Sequence, residues 1–215
     1  MRVVLVDDHQ IVREGMCVLL QRRPDIEVVG QAGDGRTAVE LVKKLQPDVV
    51  IMDIGMPNLN GIDATQQMLA DNPNIKILAL STHSDASMVA KMIRAGASGY
   101  MLKESAFSEL LTGLDTIMQG KTYLCAKIAS VVFTDYVNML TNPNWQSREV
   151  LTSREREILQ LVAEGHTTKQ IAQILNLSPK TVDSHREHIM QKLNIRTIAG
   201  LTKYAVQEGL TPNNP

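Results

Sequence analysis

Val49-Val-Ile-Met-Asp53-Ile-Gly-Met-Pro57 is a run of four apolar residues, three of them β-branched, that ends in a carboxylate and is then broken by Gly55 and Pro57. Continuous apolar character without polar alternation fits a strand covered on both faces, as in a parallel sheet. Similar short runs lie to either side, at Val3–Val6, Val28–Val29, Ile75–Leu80 and Tyr100–Leu102. Between them apolar residues fall at helical spacing: Ile11, Met16, Leu19 and Leu20; Ala38, Leu41, Val42 and Leu45; Met88, Met92 and Ile93; Leu110, Leu114, Ile117 and Met118. Strand alternates with helix throughout this half. The pattern predicts an α/β domain with a doubly wound, five-stranded parallel sheet.

In such a sheet ligands collect beyond the carboxyl ends of the strands, near the point where strand order reverses. The first strand ends in Asp7-Asp8, the third in Asp53, the fourth in Ser81-Thr82 and the fifth in Lys103. Three carboxylates, a hydroxyl and an ammonium are thereby expected on one edge. Clustered carboxylates repel one another and call for a divalent cation. Mg²⁺ suits them, because it binds through one or two carboxylates and keeps sites for water and phosphate oxygens. With the metal and Lys103 neutralising incoming charge, Asp53 can attack phosphorus to form an acyl phosphate, and Ser81 can bond a phosphoryl oxygen. Each residue alone has a plainer reading: Asp7-Asp8 as a helix cap, Asp53 as a turn former, Lys103 as a solvated side chain. Their coincidence on one edge is what argues for chemistry.

The second half changes character. A helical stretch from Ile128 to Leu140 leads into Asn142-Pro-Asn-Trp-Gln-Ser147, which reads as a linker. Helices then follow over 153–164, 168–175, 179–193 and 197–208. Thr152 with Glu155, and Thr167 with Gln170, form capping boxes, and Ser178-Pro179 places a cap before proline at the first helical position. The 168–175 and 179–193 helices, joined by a tight turn at Asn176-Leu177, have the form of a helix-turn-helix, whose second helix normally enters the major groove of DNA. Val182, Ile189 and Leu193 mark its inner side. Lys180, Asp183, Ser184, Glu187 and His188 lie opposite. Lys180 and Thr181 suit phosphate contacts, Asp183 and Glu187 can accept from cytosine amino groups, and Lys192 and Arg196 can anchor the far end to the backbone. A helical domain that docks onto a protein, such as a polymerase subunit, would share the periodicity.

Bulk composition agrees with a two-domain globular chain. Residues 1–121 hold 15 acidic against 12 basic side chains, and residues 151–215 hold 8 basic against 6 acidic. The split suits an acidic metal site in front and a nucleic-acid contact behind. No apolar stretch is long enough to span a membrane and no signal-peptide core is present, so a cytoplasmic protein without a membrane partner is expected. Cys17 and Cys125 are expected to be free thiols. The expected division is 1–121, 122–147 (helical segment and linker) and 148–215.

Residues 1–120 resemble the receiver domain of two-component response regulators in Asp7-Asp8-His9, in Met52-Asp53-Ile-Gly-Met-Pro57 with Gly61, in Ala79-Leu-Ser81 and in Gly99-Tyr-Met-Leu-Lys103. Leu151-Thr-Ser-Arg-Glu-Arg-Glu157, Lys180-Thr-Val-Asp-Ser-His185 and Lys192-Leu-Asn194 resemble the LuxR/GerE-type DNA-binding domain. Together they look like the NarL/FixJ class. The resemblance implies a flavodoxin-like receiver that binds Mg²⁺ through Asp7, Asp8, Asp53 and the Gly55 carbonyl. It implies phosphorylation of Asp53 by a sensor histidine kinase, with Ser81, Lys103 and Tyr100 reporting the phosphoryl group. Promoter DNA, a homodimer formed on phosphorylation, and RNA polymerase are the implied partners. Glu104 departs from the proline common in receivers after the lysine. No enzymatic turnover is expected: a phosphatase built on an Asp nucleophile would carry a second acid two residues on, where this chain has Gly55.

Overall fold

The computed structural model describes residues 1–105, 107–141 and 151–211. The front domain runs β1 (Arg2–Val6), α1 (Gln10–Leu20), β2 (Glu27–Ala32), α2 (Gly35–Leu45), β3 (Val49–Asp53), α3 (Gly61–Asp71), β4 (Lys76–Ser81), α4 (Ala86–Arg94), β5 (Gly99–Leu102), α5 (Phe107–Met118) and β6 (Tyr123–Leu124), followed by α6 (Ala126–Thr141). All strands are parallel, in the order β2-β1-β3-β4-β5-β6. The sheet therefore has six strands, not five. β6 is a two-residue edge strand paired with Gly99 and Tyr100, and the Cys125 N–H donates to the Tyr100 carbonyl at 3.2 Å. Two residues carry no periodicity, so only the open edge of β5 makes this segment a strand.

Every residue of β3 is buried, as are all but the first of β1, because helices cover both faces. Strand order reverses between β1 and β3, which puts the ends of these two strands at the switch point. Not all apolar helical positions face the core. Ile11 is 81 % exposed and Leu20 alone of α1 is buried; Ile93 and Met118 are also exposed. Gly61 opens α3 where backbone passes behind Asp53: a Cβ there would stand 2.1 Å from the Asp53 carbonyl oxygen. Asn60 caps this helix, accepting from the Ile62 and Asp63 N–H groups at 3.0 Å each.

The back domain comprises α7 (Ser153–Ala163), α8 (Thr168–Leu175), α9 (Pro179–Leu193) and α10 (Ile198–Gln207). Its own core gathers Ile158, Leu161, Ile171, Val182, Ile189 and Leu201. Both capping boxes form, and Ser178 caps α9 ahead of Pro179. Asn176 closes α8 in the left-handed conformation (φ 52°), and the Leu177 N–H returns to the Ala172 carbonyl at 2.9 Å. The linker expected at 142–147 lies outside the described residues. Among the described residues no helix is long and apolar enough to cross a membrane, and Cys17 and Cys125 are free thiols.

Candidate functional site

The strand ends converge as their spacing predicts. Lys103 Nζ lies 2.7 Å from Asp7 Oδ2 and 2.8 Å from Asp53 Oδ2, so β1, β3 and the end of β5 meet at one ammonium. Asp7, Asp53 and Ser81 are buried. Asp8, Gly55, Ser81, Thr82 and His83 line the same pocket. Ser81 Oγ accepts from the His83 N–H at 2.9 Å, fixing the loop after β4. The Tyr100 ring is fully buried, and its hydroxyl donates to the His83 carbonyl at 2.9 Å. Tyr100 therefore meets the pocket through the β4–α4 loop.

Electrostatics follow from this crowding. Burial raises the Asp53 carboxyl to about 6; Lys103 opposes the shift, while Asp7 and Asp8 add to it. Burial works to lower the Lys103 ammonium, but Asp53 and Asp7 outweigh it and leave the group raised. Tyr100 is raised, first by burial and then by nearby acids.

Oxygen or nitrogen atoms of Asp7, Asp8, His9 and Asp53 lie within 4.8 Å of one another. Asp7 Oδ2 and Asp8 Oδ1 are buried, and among the described residues neither has a hydrogen-bond partner of good geometry, although Lys103 and His9 stand at ion-pair distance. Buried carboxylate oxygens short of donors, gathered at one point, fit a hard divalent cation.

The far end of the chain reaches this pocket, which the sequence did not announce. Gly209 and Thr211, beyond α10, line it together with Asp53. The two domains are docked. Arg156 on α7 grips Asp63 on α3 at 2.9 Å, with both side chains largely buried. Gln160 is fully buried; its Oε1 accepts from the Asn60 N–H and Nδ2 at 3.0 Å each, and its Nε2 donates to the Met56 carbonyl at 2.8 Å. Glu164 accepts from the Asn58 N–H at 3.2 Å, and burial raises its carboxyl. Lys91 on α4 pairs with Glu208. Arg156, Gln160 and Glu164 recur every fourth residue, so one polar stripe of α7 reads the loop that follows Asp53. That spacing is visible in the sequence, but nothing there names its partner.

The α9 positions divide. Lys180, Asp183, Ser184, Glu187 and His188 are exposed, as is Arg196 beyond the helix, and Thr181 is half-buried beside the cap. The receiver does not cover this outward face, since docking uses α7 and the end of α10. Asp183 accepts from Thr168 at 3.1 Å and Arg186 donates to the same hydroxyl at 3.0 Å, tying α9 to α8. Lys192 pairs with Glu155 of the α7 capping box at 2.7 Å, so it braces the domain internally.

Comparison with known proteins accords with both halves. Residues 3–115 match the family described as response regulator receiver domain, and residues 149–205 match bacterial regulatory proteins, luxR family. The chain is 38 % identical to the transcriptional regulatory protein DegU of Brevibacillus brevis over 90 % of this chain and 88 % of that one. It is 38 % identical to the oxygen regulatory protein NreC of Staphylococcus carnosus over 98 % and 99 %. RcsB of Salmonella enterica serovar Typhimurium, solved bound to a promoter with the phosphomimetic BeF3-, superposes with a TM-score of 0.63 at 26 % identity, over 95 % of this chain and 97 % of that one.

Proposed function

Because this chain belongs to the two-component response regulators of the NarL/FixJ class, with a receiver domain in front and a LuxR-family DNA-binding domain behind, we propose that Asp53 is its phosphoacceptor and that the phosphoryl group controls where the back domain sits. The observation that carries the reading is the meeting of Asp7, Asp53 and Lys103 within 2.8 Å at the switch point of the sheet. The Asp53 carboxyl, raised to about 6, is still mainly ionised at neutral pH and so remains a nucleophile. One of its oxygens bonds to phosphorus as the bond from phosphorus to the donor breaks, the donor being a sensor kinase's phosphohistidine. Lys103 holds the charge that arrives, and Ser81 offers its hydroxyl to a phosphoryl oxygen. Asp7, Asp8, Asp53 and the Gly55 carbonyl would hold Mg²⁺, which when bound supplies neutralising charge for the transferring group.

A phosphoryl group on Asp53 enters a pocket that Gly209 and Thr211 help to close, so added charge and bulk act first on the docked back domain. The α9 face is already exposed in the docked arrangement. Uncovering that helix is therefore not what docking withholds; docking fixes the helix in one place relative to the receiver. Free to move, two such domains engage adjacent half-sites of promoter DNA as a dimer. Lys180 and Thr181 meet phosphates, Asp183, Ser184, Glu187 and His188 face bases, and Arg196 anchors the far end, which Lys192 steadies from within through Glu155. The setting is cytoplasmic, the domains divide at 1–121, 122–147 and 148–215, and RNA polymerase is the downstream partner. The test is labelling with a small-molecule phosphodonor and Mg²⁺: wild type gains one phosphoryl group by mass and Asp53→Asn gains none. Wild-type labelling of Asp53→Asn overturns the assignment.

A further inference from the structure

Helix α6 leaves the receiver with an apolar face that no other described residue covers. Phe133 is 69 % exposed, Tyr136 55 % and Leu140 66 %, flanked by Met139 at 55 % and Val137 at 39 %. The side turned to the receiver is occupied: Ile128 is buried in the receiver core, and Asp135, with Val132 at the seam's edge, faces Ala86, Ala90 and Ile93 of α4. Ala126, Ala129, Phe133, Tyr136 and Leu140 are separated by three, four, three and four residues. That is the alternation by which one helix presents a seam to another of the same kind. We infer that this seam is a dimer interface and that its occupant is α6 of a second copy of this chain, packed in parallel; the inference rests on the proposed dimeric DNA binding.

Charge favours a second copy over a foreign partner. A two-fold axis along the seam sets each residue against itself, so any charge there would meet its like. The positions flanking the seam are Ser130, Val132, Val137 and Met139, all uncharged. The helix holds only two charged residues, and both are turned away: Lys127 pairs with Glu104 at 2.9 Å, and Asp135 lines the groove with α4. The position of α6 in the chain favours the parallel arrangement. It is the last described element before the back domain, so two parallel copies release two DNA-binding domains from the same end, as adjacent half-sites require. The five exposed side chains offer roughly 500 Å² per chain against the ~800 Å² per partner of a standard interface. The pairing is accordingly weak in the free protein and is completed when DNA or the receivers add contacts.

Disulfide trapping reads a weak dimer directly. Full-length Tyr136→Cys, with Cys17→Ser to remove the half-exposed native thiol, is oxidised with and without a phosphodonor and Mg²⁺. The structure predicts a covalent dimer above the Cys17→Ser background, and predicts that adding Phe133→Glu and Leu140→Glu lowers its yield at least tenfold. Both Glu positions are more than half exposed, so the variant folds, and wild-type phosphorylation of Asp53 verifies that it does. Sedimentation separates the failures. If wild type doubles in mass on phosphorylation but Tyr136→Cys gives no more than background, or the Glu variant dimerises as wild type does, α6 is not the interface while dimeric DNA binding stands. If wild type neither doubles in mass nor cross-links, with or without phosphodonor, the dimeric reading falls and takes this inference with it. A seam that instead receives the chain's own back domain leaves wild type monomeric, and that result also overturns the proposal.

Discussion

Replacing Asp53 with asparagine should stabilise the metal-free protein while abolishing its signalling. Burial and the neighbouring Asp7 and Asp8 raise the Asp53 carboxyl from an ordinary 3.8 to about 6 despite the Lys103 ammonium at 2.8 Å. An acid whose folded-state pKa is raised disfavours folding in its ionised form. The cost is complete above the folded value, shrinks as pH falls between the two values, and is gone below the unfolded one. A rise of about two units corresponds to about 3 kcal/mol near pH 7.5, about half of that near pH 5, and little near pH 4. Asparagine keeps the shape and drops the charge, while Lys103 retains Asp7 at 2.7 Å. For a chain of this length the gain is roughly 6–12 °C in Tm. Thermal unfolding of both proteins in chelator, followed by calorimetry across that pH range, measures it. Added Mg²⁺ should narrow the difference, because the cation stabilises wild type more than a variant that has lost one carboxylate. A variant no more stable than wild type near pH 7.5, or equally favoured near pH 4, would show that like-charge crowding and burial do not govern this pocket.

The docked arrangement is equally open to test. Arg156→Ala with Gln160→Ala takes the guanidinium from the buried Asp63 carboxylate and the acceptor from the Asn60 N–H, a loss of about 3 kcal/mol that opening the domains relieves; small-angle scattering of the unphosphorylated chain should show a larger radius of gyration than wild type. Gly61→Ala places a Cβ 2.1 Å from the Asp53 carbonyl oxygen, so it should destabilise the receiver by about 3 kcal/mol in denaturant unfolding and slow phosphorylation with it. Lys180→Ala should weaken binding to all DNA sequences alike and lower the slope of log affinity against log salt by about one, whereas Glu187→Ala should alter sequence preference at one base step; the two are separated by titrating salt on matched and mutated sites.

Much of the candidate site could be read along the chain because Asp7, Asp8, Asp53, Ser81 and Lys103 each stand at a strand end, and a strand end is a local event. Four apolar residues running into Asp53 announce both the strand and the carboxylate it delivers, and the alternation of strands with helices dictates parallel pairing, which puts all such ends on one edge. The helix caps at Thr152, Thr167 and Ser178 were equally local, since a side chain three residues from its N–H partner needs no tertiary information. Ile11 shows the limit: helical spacing placed it on an apolar stripe, yet it is 81 % exposed, because periodicity does not say how wide a face the sheet covers. β6 was hidden for the opposite reason, being two residues whose strand character comes entirely from β5. The docking of α7 onto Asn60 and Asp63, and the arrival of Gly209 and Thr211 at the Asp53 pocket, join residues about 100 to 150 positions apart. Such contacts depend on the relative placement of two separately folded cores, which no pattern within either segment encodes. Sequence alone determined the parallel sheet, the acidic edge and the capped helix-turn-helix; tertiary structure decided what the polar stripe of α7 holds, that the outward face of α9 stays uncovered, and that α6 carries an apolar seam into solvent.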